Sequence, residues 1–395
     1  MRNFTFSQPT VCIFGREPEL ALKEQLSKRG VKNVLLHYGA GSIKKNGVYD
    51  MVISVLKDLN LSYTELAGVQ PNPRVKLVRE GIDICRANNI DFILAVGGGS
   101  VIDSAKAIAL GVPYDGDIWD MYIGKASPSD LTELPTPIGV ILTIPAAGSE
   151  SSEGSVISND DGLLKRAVGT ELFIPVFAIL NPEYTFTLPA YQVACGCSDI
   201  MAHMFERYFT LDKHVDVTDR QLEANIRSML HYSKLAQDYP NDYDIKAEVM
   251  WAGTIAHNDM LSCGRTGDWS SHDIEHELSG IYDIYHGEGL SIIFPAWMRY
   301  CWTVDPARFE QFFRRVFDVD FAMGETEKVV NEGINRLENY YRSLGLPVRL
   351  SEVNIGEDRL REMADKCVMH RADGTLGNFK KLTADDIYNI YRLAL

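Results

Sequence analysis

The stretch SHDIEHELSGIYDIYHGEG carries His272, His276 and His286, three of the chain's nine histidines. Neutral imidazole is a frequent ligand of transition-metal ions and a proton carrier near neutral pH. The cluster therefore offers a metal centre or acid–base chemistry; histidines on a solvated face are the plain alternative. His272 and His276 are four residues apart, which on a helix puts both on one face with an axial rise of about 6 Å. Glu277-Leu278-Ser279-Gly280 follows His276, so the second histidine of an HExxH protease helix is missing. His286 lies fourteen residues beyond His272. One straight helix would hold those two about 21 Å apart, whereas a metal–nitrogen bond spans about 2.1 Å. A shared ion requires the chain to turn back between them. Ser279-Gly280 supplies a helix stop, and residues 281–285 can return as a separate turn.

A second pair stands upstream. SDIMAHMF places Asp199 and His203 at i and i+4, a spacing at which a carboxylate and an imidazole can chelate one ion from a single helix face. Asp199, His203, His272 and His286 together offer one oxygen and three nitrogens. That set suits Zn²⁺ or Fe²⁺ and leaves coordination room for a substrate oxygen. A lone histidine on a helix is more often a packed residue; two spaced pairs followed by HGEG favour the ion. His276, on the face of His272, is the candidate catalytic proton relay, with second-shell packing as its alternative. Trp269 and Tyr282 are candidate lining aromatics.

A different chemistry is written in AVGGGSVIDSAKAIA. It reads as a strand, a glycine turn and a helix start. Gly97, Gly98 and Gly99 remove every Cβ from the turn, so a ligand can approach the backbone. Ser100 fits an N-cap, and Asp103 completes a capping-box-like pair. A helix N-terminus there favours phosphate; a well-capped tight turn is the plain reading. The dinucleotide fingerprint GxGxxG is absent. Its nearest approach, GAGSIKKNG (39–47), has no acidic residue to hold a ribose 2′-hydroxyl. It offers Ser42, Lys44 and Lys45 instead, which tolerate a 2′-phosphate and point to NADP(H) over NAD(H); a solvated helix start is the alternative for the lysines.

These residues need a framework. The chain has 395 residues, 39 basic and 54 acidic, for a net charge of −15, which argues against a nucleic-acid surface. No apolar run reaches the ~18–20 residues of a membrane span, and MRNFTFSQPT lacks the apolar core of a secretory signal, so a cytoplasmic home is expected. Seven cysteines are scattered, with Cys195 and Cys197 the one close pair; a CxC without a second pair reads as buried small residues. Through the first ~185 residues strand and helix patterns alternate. VKNVLLHY (31–38), LSYTELAG, DFILAV (91–96) and IGVILTIP read as strands; segments 43–59, PNPR onward and VIDSAKAIAL read as helices. That order predicts a parallel sheet with helices on both sides. Beyond Pro182 long helical patterns dominate. The expected organisation is an α/β Rossmann-like dinucleotide-binding domain over 1–185 and an all-helical metal-binding catalytic domain over 186–395.

GGGSVIDSAKA, Asp199-x3-His203 and His272-x3-His276-x9-His286-Gly together resemble the iron-containing (group III) alcohol dehydrogenases. YGAGSIKKNGVYD, QPNPR and VISN are similar to the NADP(H)-dependent butanol dehydrogenase and aldehyde reductase branch, and the likeness covers nearly the whole chain. The resemblance implies a nucleotide-binding domain and a helical domain with the active site in the cleft between them. It implies one divalent metal, Fe²⁺ or Zn²⁺, on Asp199, His203, His272 and His286, with His276 lining the site. It places Gly97, Gly98, Gly99, Ser100 and Asp103 on the pyrophosphate and nicotinamide side, with Thr143 and Lys165 as further cofactor contacts. Gly39, Gly41 and Ser42 would surround the 2′-phosphate, and Asn72 of QPNPR joins the cofactor contacts. A homodimer formed through N-terminal strands is also implied. The chain departs from the family pattern at Ala146-Ala147, in place of a threonine-rich turn, and at Asn181, in place of an aspartate. The expected reaction is reversible hydride transfer between NADP(H) and small primary alcohols and aldehydes. An NAD-linked polyol dehydrogenase, or a non-redox metal lyase or hydrolase, is the alternative. A synthase acting on a phosphorylated sugar acid would need several basic residues near the metal, and 262–290 offers only Arg265.

Overall fold

A computed structural model describes residues 1–395, with Phe321 described by its backbone alone. Two compact units divide the chain. One comprises Ser7–Leu188 and Pro240–Thr254; the other comprises Met1–Phe6, Pro189–Tyr239 and Ile255–Leu395.

The first unit is built on a six-stranded sheet. In chain order its elements are β1 (Val11–Phe14), α1 (Pro18–Lys28), β2 (Asn33–Gly39), α2 (Ser42–Lys45), α3 (Val48–Asp58), β3 (Ser62–Val69), α4 (Val75–Ala87), β4 (Phe92–Gly98), α5 (Gly99–Gly111), α6 (Trp119–Tyr122), β5 (Ile138–Ile144), β6 (Gly154–Asn159), β7 (Leu164–Gly169) and β8 (Phe177–Leu180). The sheet order is β1-β8-β5-β4-β2-β3, all parallel. β6 and β7 form a separate antiparallel hairpin.

Every residue of β4 is buried, because alternate side chains enter different cores. Phe92, Leu94 and Val96 pack with Leu22, Val52 and Leu56 from α1 and α3. Ile93 and Ala95 pack with Val78, Ile82, Ala105 and Ile108 from α4 and α5. Helices therefore cover both faces, as the βα alternation predicts. The chain leaves β2 toward β3 on one side but β4 leads to β5 on the other. The carboxyl ends of β2 and β4 thus flank a topological switch point, where open α/β sheets bind ligands.

Three details differ from the sequence pattern. The helix expected over 43–59 is two helices, broken at Asn46-Gly47, where Gly47 adopts φ 80°. The four-residue strands β1 and β8 are at the lower limit for periodicity to reveal, and the six-residue strands of the hairpin are absent from the sequence reading. Ser100 is not the N-cap of α5: Gly98 takes that place with no capping side chain, and Ser100 sits inside the first turn.

The second unit is helical: α7 (Ala190–Tyr208), α8 (Asp216–Asp238), the end of α9 (Tyr243–His257), α10 (Ser270–Tyr282), α11 (His286–Cys301), α12 (Pro306–Val316), α13 (Thr326–Ser343), α14 (Leu360–Val368) and α15 (Ala384–Leu393). α10 runs through Ser279-Gly280 and stops at Asp283, which takes the left-handed conformation at φ 55°. Three residues later α11 begins at His286. Among the described residues no helix is long and apolar enough to cross a membrane.

His37 sits wholly buried in the centre of β2. Its Nδ1 lies 2.9 Å from the Leu66 carbonyl, which only accepts, so Nδ1 carries the proton. Nε2, 2.8 Å from Ser104 Oγ, then accepts from that hydroxyl. Burial pushes this imidazole down to about 4. The unfolded chain, with an ordinary histidine, takes up a proton first as pH falls. Stability is therefore complete above about pH 6.5 and declines toward pH 4, by about 3 kcal/mol from this group. Urea unfolding across that range should show the decline, and the His37→Gln variant should show a shallower one.

Candidate functional site

α7 carries Asp199, His203 and Glu206 at i, i+4 and i+7, one stripe of the helix. α10 carries His272, Glu275 and His276 on its buried side. The two helices are joined at their functional ends by Glu206. Its Oε2 accepts from the Trp269 amide at 2.6 Å, and its Oε1 accepts from the His272 amide at 3.1 Å and from His272 Nδ1 at 2.8 Å. A carboxylate from α7 thus caps the N-terminus of α10, where negative charge is favoured, and orients the first imidazole.

His286 arrives from α11. Gly287 lets α11 touch the main chain of α7, since a Cβ there would overlap the Cys195 carbonyl. Gly289 makes room for the Glu275 side chain, and Glu275 in turn accepts from His286 Nδ1 and from the Ser279 hydroxyl. The glycines of HGEG are packing requirements that place the histidine.

Asp199, His272 and His286 bring ligand atoms within 4.8 Å of one another, and His203 adjoins the group through Asp199. Asp199 Oδ1 lies 3.3 Å from His203 Nε2 and 3.8 Å from both His272 Nε2 and His286 Nε2. Four donors at about 2.1 Å from one ion stand about 3.4 Å apart when tetrahedral. Asp199 Oδ1, both His203 nitrogens and His272 Nε2 are buried without a hydrogen-bond partner. Buried polar atoms are rarely left so, and a divalent cation is the group that would satisfy Asp199 Oδ1 together with one nitrogen each of His203 and His272. Burial, together with the His257 and His272 rings and Arg207, holds His203 well below the usual histidine range, so one ring nitrogen has a free lone pair. Burial also pushes His272 down, but the Asp199 and Glu206 carboxylates outweigh it and lift that imidazole to about 9. A point that holds a proton this firmly between two carboxylates attracts cations, and ligation would displace the proton. The residues present fit a divalent metal.

His276 is buried, its Nδ1 3.9 Å from Asp273 Oδ1 and its ring 5.5 Å from that of His286. It forms a second close group with Glu275 and His286. Trp269, left-handed at φ 70°, sets its ring 5.8, 5.6 and 5.5 Å from those of His203, His257 and His272. Tyr282 lies elsewhere, with the Arg359 guanidinium 6.0 Å from its ring centre. Sequence reasoning missed Glu206, Glu275 and His257. The carboxylates were legible as i+7 from Asp199 and i+3 from His272, had partners for the imidazoles been sought. His257, whose ring is 4.2 Å from that of His203 and whose Nδ1 accepts from Arg207 at 2.9 Å, comes from a separate helix and had no local signal.

The expected cofactor residues lie in the α/β unit. Gly39 ends β2, Gly41 follows at φ 119° and Ser42 opens α2. Gly97 and Gly98 end β4, and Gly99 and Ser100 open α5. These two groups occupy the adjacent strand ends of the switch point. The three glycines are not equivalent: a Cβ on Gly97 would strike Val101 and one on Gly98 would strike Ile144, whereas Gly99 is open apart from Ala147 at 3.4 Å. Two of the three therefore serve internal packing. With no side-chain cap, the first amides of α5 are left for a phosphate, which this helix start would favour. Asp103 does not cap; it accepts from Ser149 Oγ at 2.6 Å and the Val156 amide at 3.0 Å. It is thereby tied to the 149–156 loop, which the buried Lys106 also grips through Ser149 Oγ and the Ser152 and Gly154 carbonyls. Thr143 on β5 and Lys165 on β7 are buried, and Asn72 is buried in the left-handed region at φ 53°.

Both halves of the chain match family models: residues 9–182 that of iron-containing alcohol dehydrogenase, and residues 193–395 the C-terminal model of the Fe-containing alcohol dehydrogenase family. Over 396 residues the chain is 46% identical to a protein of Bacillus subtilis (strain 168) named probable NADH-dependent butanol dehydrogenase 1, covering 100% of each. It is 33% identical to the NADPH-dependent aldehyde reductase YqhD of Escherichia coli (strain K12), again over 100% of each. The crystal structure of an NADH-dependent butanol dehydrogenase A from Thermotoga maritima superposes with a TM-score of 0.95 at 37% identity, covering 100% of this chain and 99% of that one. With the ligand cage, the switch-point loops and full-length relatives in agreement, the chain belongs to the iron-containing alcohol dehydrogenase family and is an NAD(P)-dependent alcohol dehydrogenase of its butanol dehydrogenase and aldehyde reductase branch.

Proposed function

We propose that this protein interconverts small primary alcohols and aldehydes by reversible hydride transfer with NADP(H), at a divalent cation, Fe²⁺ or Zn²⁺, held by Asp199, His203, His272 and His286. The observation that carries the reading is the set of buried, unpartnered donor atoms on Asp199, His203 and His272, with His286 Nε2 at 3.8 Å from the same oxygen. A cation bound there supplies Lewis-acid polarisation of a carbonyl or alcohol oxygen, and the nicotinamide supplies or takes the hydride.

The chain's own residues prepare that chemistry. Glu206 and Glu275 each accept from the Nδ1 of a ligand histidine, which turns the Nε2 lone pairs of His272 and His286 inward and raises their basicity. The Trp269 ring walls the cage on the side of His203 and His272, which helps exclude water. His276, one helical turn beyond His272, is assigned the handling of the hydroxyl proton. Gly99, Ser100 and the uncapped start of α5 are assigned to the pyrophosphate, with Asp103, Thr143 and Lys165 toward the nicotinamide. Gly39, Gly41, Ser42 and Asn72 are assigned to the adenosine half.

The loop after β2 carries Ser42 and Lys44 and no carboxylate, which supports NADP(H). NAD(H) is a second reading, supported by the Bacillus subtilis relative's name. β1 is an edge strand whose Val11 and Phe14 are 44% and 40% exposed; this open edge supports a homodimer in which two copies pair there. Seven free cysteines suit the reducing cytoplasm.

Oxidation of NADPH with butyraldehyde should cease on chelation and return with Fe²⁺ or Zn²⁺; activity that survives complete metal removal refutes the cation's role. Glu275→Gln should weaken metal binding by roughly 10–100-fold in competition with a chelator, with the fold intact by circular dichroism. His276→Ala should lower turnover while elemental analysis finds the metal content unchanged; normal turnover removes its assigned role. Sedimentation should give a dimer, and a charge at Val11 should shift it toward monomer.

A further inference from the structure

A charged cluster closes the paired ends of β2 and β3. Tyr38, on β2, donates its hydroxyl to Glu65 Oε2 at 2.6 Å. Tyr49, in the first turn of α3, donates to Glu65 Oε1 at 2.9 Å. Lys44 follows Gly41-Ser42 on α2, and its Nζ lies 4.6 Å from the ring centre of Tyr49 and 5.3 Å from that of Tyr38. The hydrogen bond to Glu65 raises Tyr49 to about 12. Burial and Glu65 raise Tyr38 as well, so both phenols stay protonated donors. Lys44 keeps its charge, its pKa raised by its hydrogen bond to Tyr38, with Glu65 adding to the shift.

At neutral pH the cluster is one ammonium and one carboxylate bridged by two neutral phenols. Lys44, taken from the loop sequence, looks like an unopposed cation beside the adenosine site. The fold opposes it with a carboxylate from the neighbouring strand, where Glu65 pairs with Leu36 of β2. Glu65 is exposed at the rim and both its oxygens are engaged.

We propose that Glu65 determines the discrimination between NADP(H) and NAD(H): bonded to Tyr38 and Tyr49, whose rings lie beside the Lys44 ammonium, it offsets the charge of Lys44, which weakens the hold on a ribose 2′-phosphate. The inference rests on the assignment of the 39–42 loop to the adenosine half of the cofactor. A 2′-phosphate dianion placed there meets Lys44 and Glu65 together; a 2′-hydroxyl is indifferent to both net charges. Removal of one rim charge several ångströms from a dianion changes affinity by about tenfold at moderate salt.

The test is calorimetric titration of the full-length protein with adenosine 2′,5′-bisphosphate and with 5′-AMP, which needs neither metal nor turnover, followed by the ratio of kcat/KM for NADPH and NADH. Glu65→Gln should tighten the bisphosphate by about tenfold and leave AMP unchanged, and the NADPH:NADH ratio should rise alongside. Lys44→Met should weaken the bisphosphate alone. Ser42→Asp, a charge inside the loop itself, should weaken it in either background. If Ser42→Asp acts as expected and Glu65→Gln leaves the bisphosphate unchanged, the role of Glu65 is overturned while the loop assignment stands. If Ser42→Asp affects neither ligand, the loop is not the adenosine site and both ideas fall.

Discussion

The carboxylate of Glu206 is the constraint on which the cage depends. It is buried to 1% exposure, and a carboxylate out of water is tolerated only when its lone pairs are answered by donors. Two amides at the start of α10 and Nδ1 of His272 answer them. One group therefore fixes the start of α10, its seating on α7 and the direction of an imidazole. The stripe of Asp199, His203 and Glu206 then makes α7 the reference for the whole centre. Glu275 repeats the logic for His286 at the start of α11. Two carboxylate–imidazole pairs thus turn helix packing into donor geometry.

The α/β unit works by other means. Its functional atoms are backbone amides and small side chains at strand ends, positioned by a sheet whose central strand is buried on both faces. There the glycines matter as much for close packing as for access: Gly97 and Gly98 are needed by Val101 and Ile144 before any ligand is considered. Asp103 and Lys106 then brace the 149–156 loop against α5. A site of this kind is rigid because its surroundings are dense, whereas the helical site is held by the bonds that Glu206 and Glu275 accept around it.

Much of this was legible in the sequence. The apolar run DFILAV is β4, and the i, i+4 spacing of Asp199 and His203 and the fourteen-residue gap from His272 to His286 foretold a cage closed by a bend. The position of that bend was not legible, because Asp283 rather than Gly280 takes the left-handed conformation that ends α10. The capping role read for Ser100 and Asp103 failed because Ser149 and Val156, some fifty residues away, compete for the Asp103 carboxylate. Lys44 has a neighbour the loop sequence does not show: Glu65, on the next strand, is bonded to the two tyrosines whose rings lie beside the Lys44 ammonium. What stays hidden is always a partner supplied by tertiary contact, and the residues concerned are polar, with no periodicity to betray them.

The glycine at 287 has one more implication. Since α11 rests on α7 main chain to main chain at this point, the separation of the two backbones that carry the carboxylate and the third imidazole is set by peptide atoms. A cation held there, as proposed, would be chosen by ligand softness: Ca²⁺, which seeks six to eight oxygens, would meet mostly nitrogen donors.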